Sequence, residues 1–257
     1  MRAPSFRARN ETADGLGATV TARPRIVHVM TVPTSLLFLT GQVAFMRSRG
    51  FDVQAVSSPG PFLEQFGEQE GIRVHAVPLT RSITPIQDLR AVWRLRRLFR
   101  RLDPDIVHAH TPKGGLLGMI AAWLARVPTR VYHIRGLPLV TASGWRRRLL
   151  KATEWTSCAL AHRVFAVSHS MRRIAIEEGL CRPGKITVLA GGSGNGVDAT
   201  GRFVPQPAQV RRDARARHGI AQDAFVIGFV GRIVREKGVV ELASAWKALR
   251  DTDPRLH

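Results

Sequence analysis

The chain has 257 residues, 44% of them hydrophobic, and carries 39 Lys and Arg against 19 Asp and Glu, a formal net charge of +20. Two cysteines, Cys158 and Cys181, exclude a disulfide framework or a cysteine metal site, and no apolar run is long enough for a membrane-spanning helix. The first 24 residues lack an apolar segment and so are not a secretory signal; they read as a disordered basic tail, and a reducing cytoplasm is the expected compartment. The cationic excess fits a polyanionic partner (nucleic acid, an anionic membrane surface or phosphorylated substrates) or a solvated Arg-rich surface.

From Arg25 onward, strand-like and helix-like segments alternate. Arg25–Met30 reads as a first strand, and Gly41–Arg49 as a helix with Thr40 as N-cap and Gly50 as stop. Phe51–Val56 is a second strand, Pro61–Glu70 a helix closed by Gly71, and Ile72–Val77 a third strand. Thr84 before Pro85 starts a helix that runs to Leu102, with the Thr84 hydroxyl as cap. Asp105–His110, Arg130–Ile134, Val164–Val167 and Lys185–Leu189 are the next strands. Helices over Lys113–Arg126, over Gly144–Ala161 and up to Glu178 lie between them. Such alternation with short links predicts an α/β protein with a parallel, doubly wound, Rossmann-like sheet, whose ligands sit beyond the carboxyl ends of the strands.

The loops at those ends carry the candidate chemistry. Strand alternation puts His108 and His110 on one face, with His110 nearest the ligand edge. Two histidines without a third ligand close in sequence fall short of a metal site. After the first strand, Gly41 and Gln42 open a helix whose free N–H groups could hold a phosphate, although plain N-capping explains the pattern as well. Gly191 to Asp198 is glycine-rich but misses the G-x-G-x-x-G spacing, Arg135 and Gly136 follow the fifth strand, and Ser168 reads as an N-cap. In the Pro85–Leu102 helix, Leu89, Val92, Leu95, Phe99 and Leu102 form a stripe expected to face the sheet. Arg90, Arg94, Arg97 and Arg101 lie opposite, with Arg96 and Arg100 beside Trp93, as on a helix resting on anionic lipid or an ordinary solvated face. Near the end, an apolar β-rich run from Phe225 to Val230 meets Gly231; Arg232 and Lys237 fill the turn, and a helix pattern starts at Val239. Glycine, two cations and a helix start suit a phosphate chain.

In order and spacing these segments resemble retaining glycosyltransferases of the GT-B architecture, family 4, above all those that build bacterial polysaccharides and lipid-linked oligosaccharides. The resemblance rests on the runs His108 to Gly115, Ile134 to Pro138, Ser193 to Asp198 and Gly231 to Lys237. It implies transfer of a sugar, with retention, from a nucleotide diphosphate-sugar to a lipid-linked or polysaccharide acceptor. His110 would reach the donor sugar, Gly41 and Gln42 would lie beside its phosphates, and Gly231, Arg232 and Lys237 would grip the leaving diphosphate and stabilise its charge. No metal or other cofactor is implied. Residues 25–198 would be the acceptor-side domain, 199–222 a linker, and 223–257 the incomplete beginning of the nucleotide-sugar-binding domain. The working place would be the cytoplasm, peripherally at the inner face of the membrane. The family's paired glutamates, E-x7-E, are not in this chain, and Glu236 and Glu241 stand too close to Lys237 to replace them. A truncated product, weakly active or inactive alone, is therefore expected. Two alternatives stand beside this reading: a non-catalytic acceptor- or partner-binding module, and an Arg-rich nucleic-acid binder, against which the lack of any recognition motif argues.

Overall fold

The computed structural model describes residues 23–193, 197–201, 203–250 and 252. The expected basic tail, apart from Arg23 and Pro24, lies outside the described residues, as do positions 194–196 of the glycine-rich loop. The chain divides between Gly196 and Val197 into two compact units.

The first unit is built on seven parallel strands: β1 (Arg25–Val29), β2 (Asp52–Ser57), β3 (Arg73–Ala76), β4 (Ile106–His110), β5 (Thr129–Ile134), β6 (Arg163–Ala166) and β7 (Ile186–Val188). Their order across the sheet is β3-β2-β1-β4-β5-β6-β7. Between them run α1 (Gln42–Ser48), α2 (Pro61–Glu70), α3 (Pro85–Leu102), α4 (Pro112–Leu124), α5 (Gly144–Leu160) and α6 (His169–Glu177). Apolar clusters lie on both faces. Val27, Val29, Val107, Ala109 and Tyr132 join the core with Leu95 and Phe99 of α3 and Leu117 of α4, while Ile26 and Met30 pack with Val43, Leu63 and Phe66 of α1 and α2. Alternation therefore sends the odd-numbered residues of β1 and β4 into the first core and the even-numbered ones, His28, His108 and His110 among them, to the opposite face.

Local signals set most boundaries, and three differ instructively. Gly41, not Thr40, caps α1, because the cap has φ 76°, a left-handed value open to glycine. The link before it is a 3-10 helix, Pro33–Leu39, opened by proline at its first position. At α3 the Thr84 hydroxyl does not cap the helix; it donates to Asp88 Oδ1 at 2.9 Å, and the Thr84 N–H donates to Asp88 Oδ2 at 3.2 Å. Ser168 does cap α6, accepting from the Met171 N–H at 3.1 Å.

The face of α3 also differs from expectation. Ala91, Val92, Leu95, Leu98 and Phe99 are buried, but Leu89 is 61% exposed and joins Ile86 at 71% and Trp93 at 55%. Around the helix, Leu89 stands closer to Trp93 than to Leu95, so helical spacing from Val92 alone misplaces it.

The second unit holds α7 (Ala208–Arg217), a 3-10 turn (Arg235–Lys237) and α8 (Val239–Leu249). The run Phe225–Val230, expected as a strand, is not one: Phe225 makes a single bridge and the residues after it form no regular secondary structure. A strand needs a neighbour to satisfy its backbone groups, and among the described residues of this unit no strand is present.

Candidate functional site

The strand order reverses between β1 and β4, and the crevice beyond the carboxyl ends of those two strands is where an open parallel sheet accepts ligands. Parallel register sets His28 beside His108 and His110 beside His133. Four imidazoles thus gather from three neighbouring strands, with ring centroids of His108 and His110 4.0 Å apart and of His28 and His110 5.3 Å apart.

Hydrogen bonding fixes the protons. Arg135, just past β5, donates from Nε to His110 Nδ1 at 3.2 Å, so the single proton of a neutral His110 ring sits on Nε2. That N–H points at His28 Nδ1, 3.0 Å away, which places the His28 proton on its own Nε2. Burial is the main reason the rings are neutral. It pulls the pKa of His28 down to about 3, aided by the charges of Arg135 and His133, and that of His133 to about 4, aided by Arg135. His108 and His110 are held well below their ordinary value, first by burial and then by their neighbours. Burial also lowers Arg135, to about 10, and its guanidinium lies 4.8 Å over the ring of Phe38 from the 3-10 helix.

The third imidazole that the sequence did not disclose is His28, and it brings the group to the ligand number of a metal site. One nitrogen each of His28, His108 and His110 lies within 4.8 Å of the others. The bonding is another matter. A ring that binds a metal through Nε2 carries its proton on Nδ1, and here Arg135 donates to His110 Nδ1. As bonded, the cluster holds a proton between His110 and His28 beside a half-buried guanidinium, an arrangement that disfavours a cation.

His110 itself is fully buried with both ring nitrogens engaged. The residue that meets the crevice is Thr111. Its backbone, φ 65° and ψ 152°, lies in a region nearly confined to glycine, which for a β-branched residue costs on the order of 1–3 kcal/mol. Thr31 at the end of β1 holds it there: the two hydroxyls are 2.8 Å apart, and Thr31 Oγ1 also accepts from the Gly114 N–H at 3.0 Å. Neither threonine stands out in the sequence; the turn needed to launch α4 from β4 reveals them.

Gly114 and Gly115 serve packing. A Cβ on Gly115 would lie 2.1 Å from the Tyr132 ring, whose hydroxyl donates to Glu154 at 2.7 Å in the core. Lys113 is likewise structural, pairing with Asp88 Oδ1 at 2.7 Å and bonding Thr80 Oγ1 at 3.0 Å, so that α4 and α3 are tied at their N-termini.

Of the residues expected at the ligand, His110 is buried beneath this crevice, and Gly41 and Gln42 open α1 beyond the 3-10 helix that carries Phe38. Gly231, Arg232 and Lys237 belong to the second unit, with Arg232 and Lys237 exposed and Lys237 closing the 3-10 turn before α8. A cavity of about 460 Å³ on the first unit, lined in part by Thr31 and Thr111, lies between the N-termini of α3 and α4 and the first half of α5.

A doubly wound parallel sheet with a polar, strained switch point defines a Rossmann-like α/β protein. The chain belongs to the glycosyl transferase 4-like family, whose domain matches residues 37–192. It is 36% identical over 225 residues to the capsular polysaccharide biosynthesis glycosyltransferase CapM of Staphylococcus aureus, which covers 88% of this chain and 57% of the relative. To the UDP-Gal:alpha-D-GlcNAc-diphosphoundecaprenol alpha-1,3-galactosyltransferase of Escherichia coli it is 28% identical over 236 residues, 87% of this chain and 57% of that protein. Its fold matches Anabaena Alr3699/HepE, solved in complex with UDP and glucose, with a TM-score of 0.66 at 20% identity, over 91% of this chain and 59% of that one. The chain thus spans somewhat more than half the length of the curated relatives it matches.

Proposed function

We propose that the protein is a glycosyltransferase of cell-surface polysaccharide assembly, moving a sugar with retention from a nucleotide diphosphate-sugar to a lipid-linked or glycan acceptor. The observation that carries this reading is the strained, polar switch point on a chain of the glycosyl transferase 4-like family. In this mechanism Gly231 lets backbone approach the diphosphate, and Arg232 and Lys237 stabilise the charge that develops on it as the bond to the sugar breaks. Two side-chain cations take the part that a metal would play. Gly41 and Gln42 lie on the phosphate side. With both of its nitrogens engaged, His110 acts on the sugar by setting the floor beneath it and fixing Arg135.

The test is transfer from a labelled nucleotide-sugar by a form of the protein that turns over. Lys237→Ala and Arg232→Ala are each expected to lower the rate by about 10²–10³, the scale of one preorganised charge stabiliser, with donor hydrolysis falling in step. A variant that keeps more than about half of the rate sinks the phosphate-grip assignment.

Among the described residues no helix is long and apolar enough to cross a membrane. We propose peripheral docking at the inner face of the cytoplasmic membrane through α3. Ile86, Leu89 and Trp93 on its outer face would enter the lipid, and Arg90, Arg94, Arg97 and Arg101 would meet anionic headgroups. Arg96 is stacked 5.0 Å over Trp93. Vesicles rich in phosphatidylglycerol should sediment the protein at low salt. Changing the four arginines to Glu should release it, at about 1 kcal/mol for each charge, without unfolding it. No sedimentation of the parent chain at low salt ends this part of the proposal.

A further inference from the structure

The two cysteines, which the proposed transfer leaves unused, meet in the core of the first unit. Cys158 lies in the last turn of α5 and is 1% exposed; Cys181 lies between α6 and β7 and is 8% exposed. Both belong to the apolar cluster that holds Tyr132 and Val164, and the Cys158 thiol donates a hydrogen bond to the Cys181 sulfur. Lys185 spans the same gap. Its ammonium donates to the carbonyl of Ala159, the residue after Cys158, at 3.0 Å, and its charge acts on both sulfurs.

The contact is unsymmetrical. The bond from Cys158, helped by the Lys185 charge and the Arg182 N–H, holds the Cys181 thiol below its ordinary value against the effect of burial. The same bond, followed by burial, pushes the Cys158 thiol up. Cys181 is therefore the sulfur that gives up its proton, and the thiolate is the nucleophile. It also stands at the rim of the core, since Arg182, Pro183 and Gly184 after it are exposed.

We infer that Cys181 and Cys158 are a redox modification site, in which Cys181 reacts with a small hydroperoxide and Cys158 resolves the product into a disulfide between α5 and the α6–β7 connection. The Cys181 thiolate attacks one oxygen of the peroxide; the O–O bond breaks, sulfur is oxidised to a sulfenic acid, and the departing hydroxide takes up a proton to become water. The Cys158 sulfur then attacks the Cys181 sulfur. The S–O bond breaks as the S–S bond forms, and the Cys158 proton leaves with the hydroxyl as a second water. Two thiols and one hydrogen peroxide thus become one disulfide and two waters, and a thiol reductant reverses the change. The inference does not depend on the glycosyl-transfer reading.

The test treats the 257-residue chain with hydrogen peroxide and maps its peptides without reduction, with dimedone present to trap sulfenic acid. The parent should lose two hydrogens in mass, yield a peptide pair joined through Cys158 and Cys181, and carry little dimedone. Cys158→Ser should instead accumulate dimedone on Cys181. In Cys181→Ser the remaining Cys158 should react at least about tenfold more slowly, because a thiol held one pKa unit higher presents a tenth of the thiolate. Oxidation should raise the midpoint of denaturant unfolding in the parent and in neither variant, since the bridge closes a loop holding β6 and α6 in the unfolded chain. The parent result needs no substitution, so a variant that fails to fold does not remove the test. A parent that keeps two free thiols, accumulates dimedone on Cys181, or joins only to a second copy overturns the inference, as does equal reactivity of the two cysteines.

Discussion

Lowering the pH from 7.5 to about 5.5 should cost the first unit several kcal/mol of stability, because four imidazoles are kept neutral inside it. In the unfolded chain a histidine takes up its proton near 6.5; folded, His28 does so only near 3 and His133 near 4, and His108 and His110 are also held well below the ordinary value. Below 6.5 the unfolded state binds more protons, so stability is fully present above that pH and is lost as pH falls towards the folded values. Each such group contributes a slope of up to about 1.4 kcal/mol per pH unit, and four together approach the total stability of an ordinary domain within two units. Glu154 titrates in the opposite sense. Burial lifts it to about 7 although the Tyr132 hydroxyl favours its charged form, so its contribution is present below 4.5 and lost as pH rises through 7. One carboxyl does not offset four imidazoles, and Glu154→Gln should make the acid slope steeper. Denaturant unfolding at pH 7.5, 6.5 and 5.5 measures it. A stability that changes by less than about 1 kcal/mol over that range would show that the rings are not held neutral.

Gly115→Ala is expected to destabilise the fold by about 3 kcal/mol, the upper part of the range for overpacking. The new Cβ would lie 2.1 Å from Tyr132, a ring with no exposed surface and its hydroxyl bonded to Glu154, so it cannot swing aside. Gly136→Ala, where a Cβ meets nothing within 4 Å, is the matched control and should be near neutral. Combining Gly115→Ala with Tyr132→Leu should recover part of the loss, since leucine vacates the space the ring occupied. If Gly115→Ala alone melts with the parent, the glycine is kept for some reason other than contact with Tyr132.

How far the sequence could be read depended on whether the deciding interaction was local. Pro61 with Gly71 bounds α2, and Pro85 opens α3, so those helices lie where proline and glycine mark them. The parallel sheet follows from apolar runs separated by helices, and His110 at a strand end follows from alternation. His28 did not show itself as a partner because it stands 82 residues from His110 and meets it only through the pairing of β1 with β4. Gly115 reads as part of a ligand loop until Tyr132 is seen above it. Leu89 belongs equally well to two helical stripes, and only the position of the sheet chooses the outer one. The run from Phe225 shows the reverse dependence: strand propensity was legible, but pairing is a property of the neighbour.

The Lys113 tie has a mechanical consequence. Its ammonium clamps the start of α3, through Asp88 and Thr84, to the residue that follows Pro112 in the first turn of α4. Two residues before Lys113 stands Thr111, whose backbone is bent away from its resting shape and latched by Thr31. The clamp thus ties the first turn of α3 to the lip of the crevice, two residues from the bent threonine.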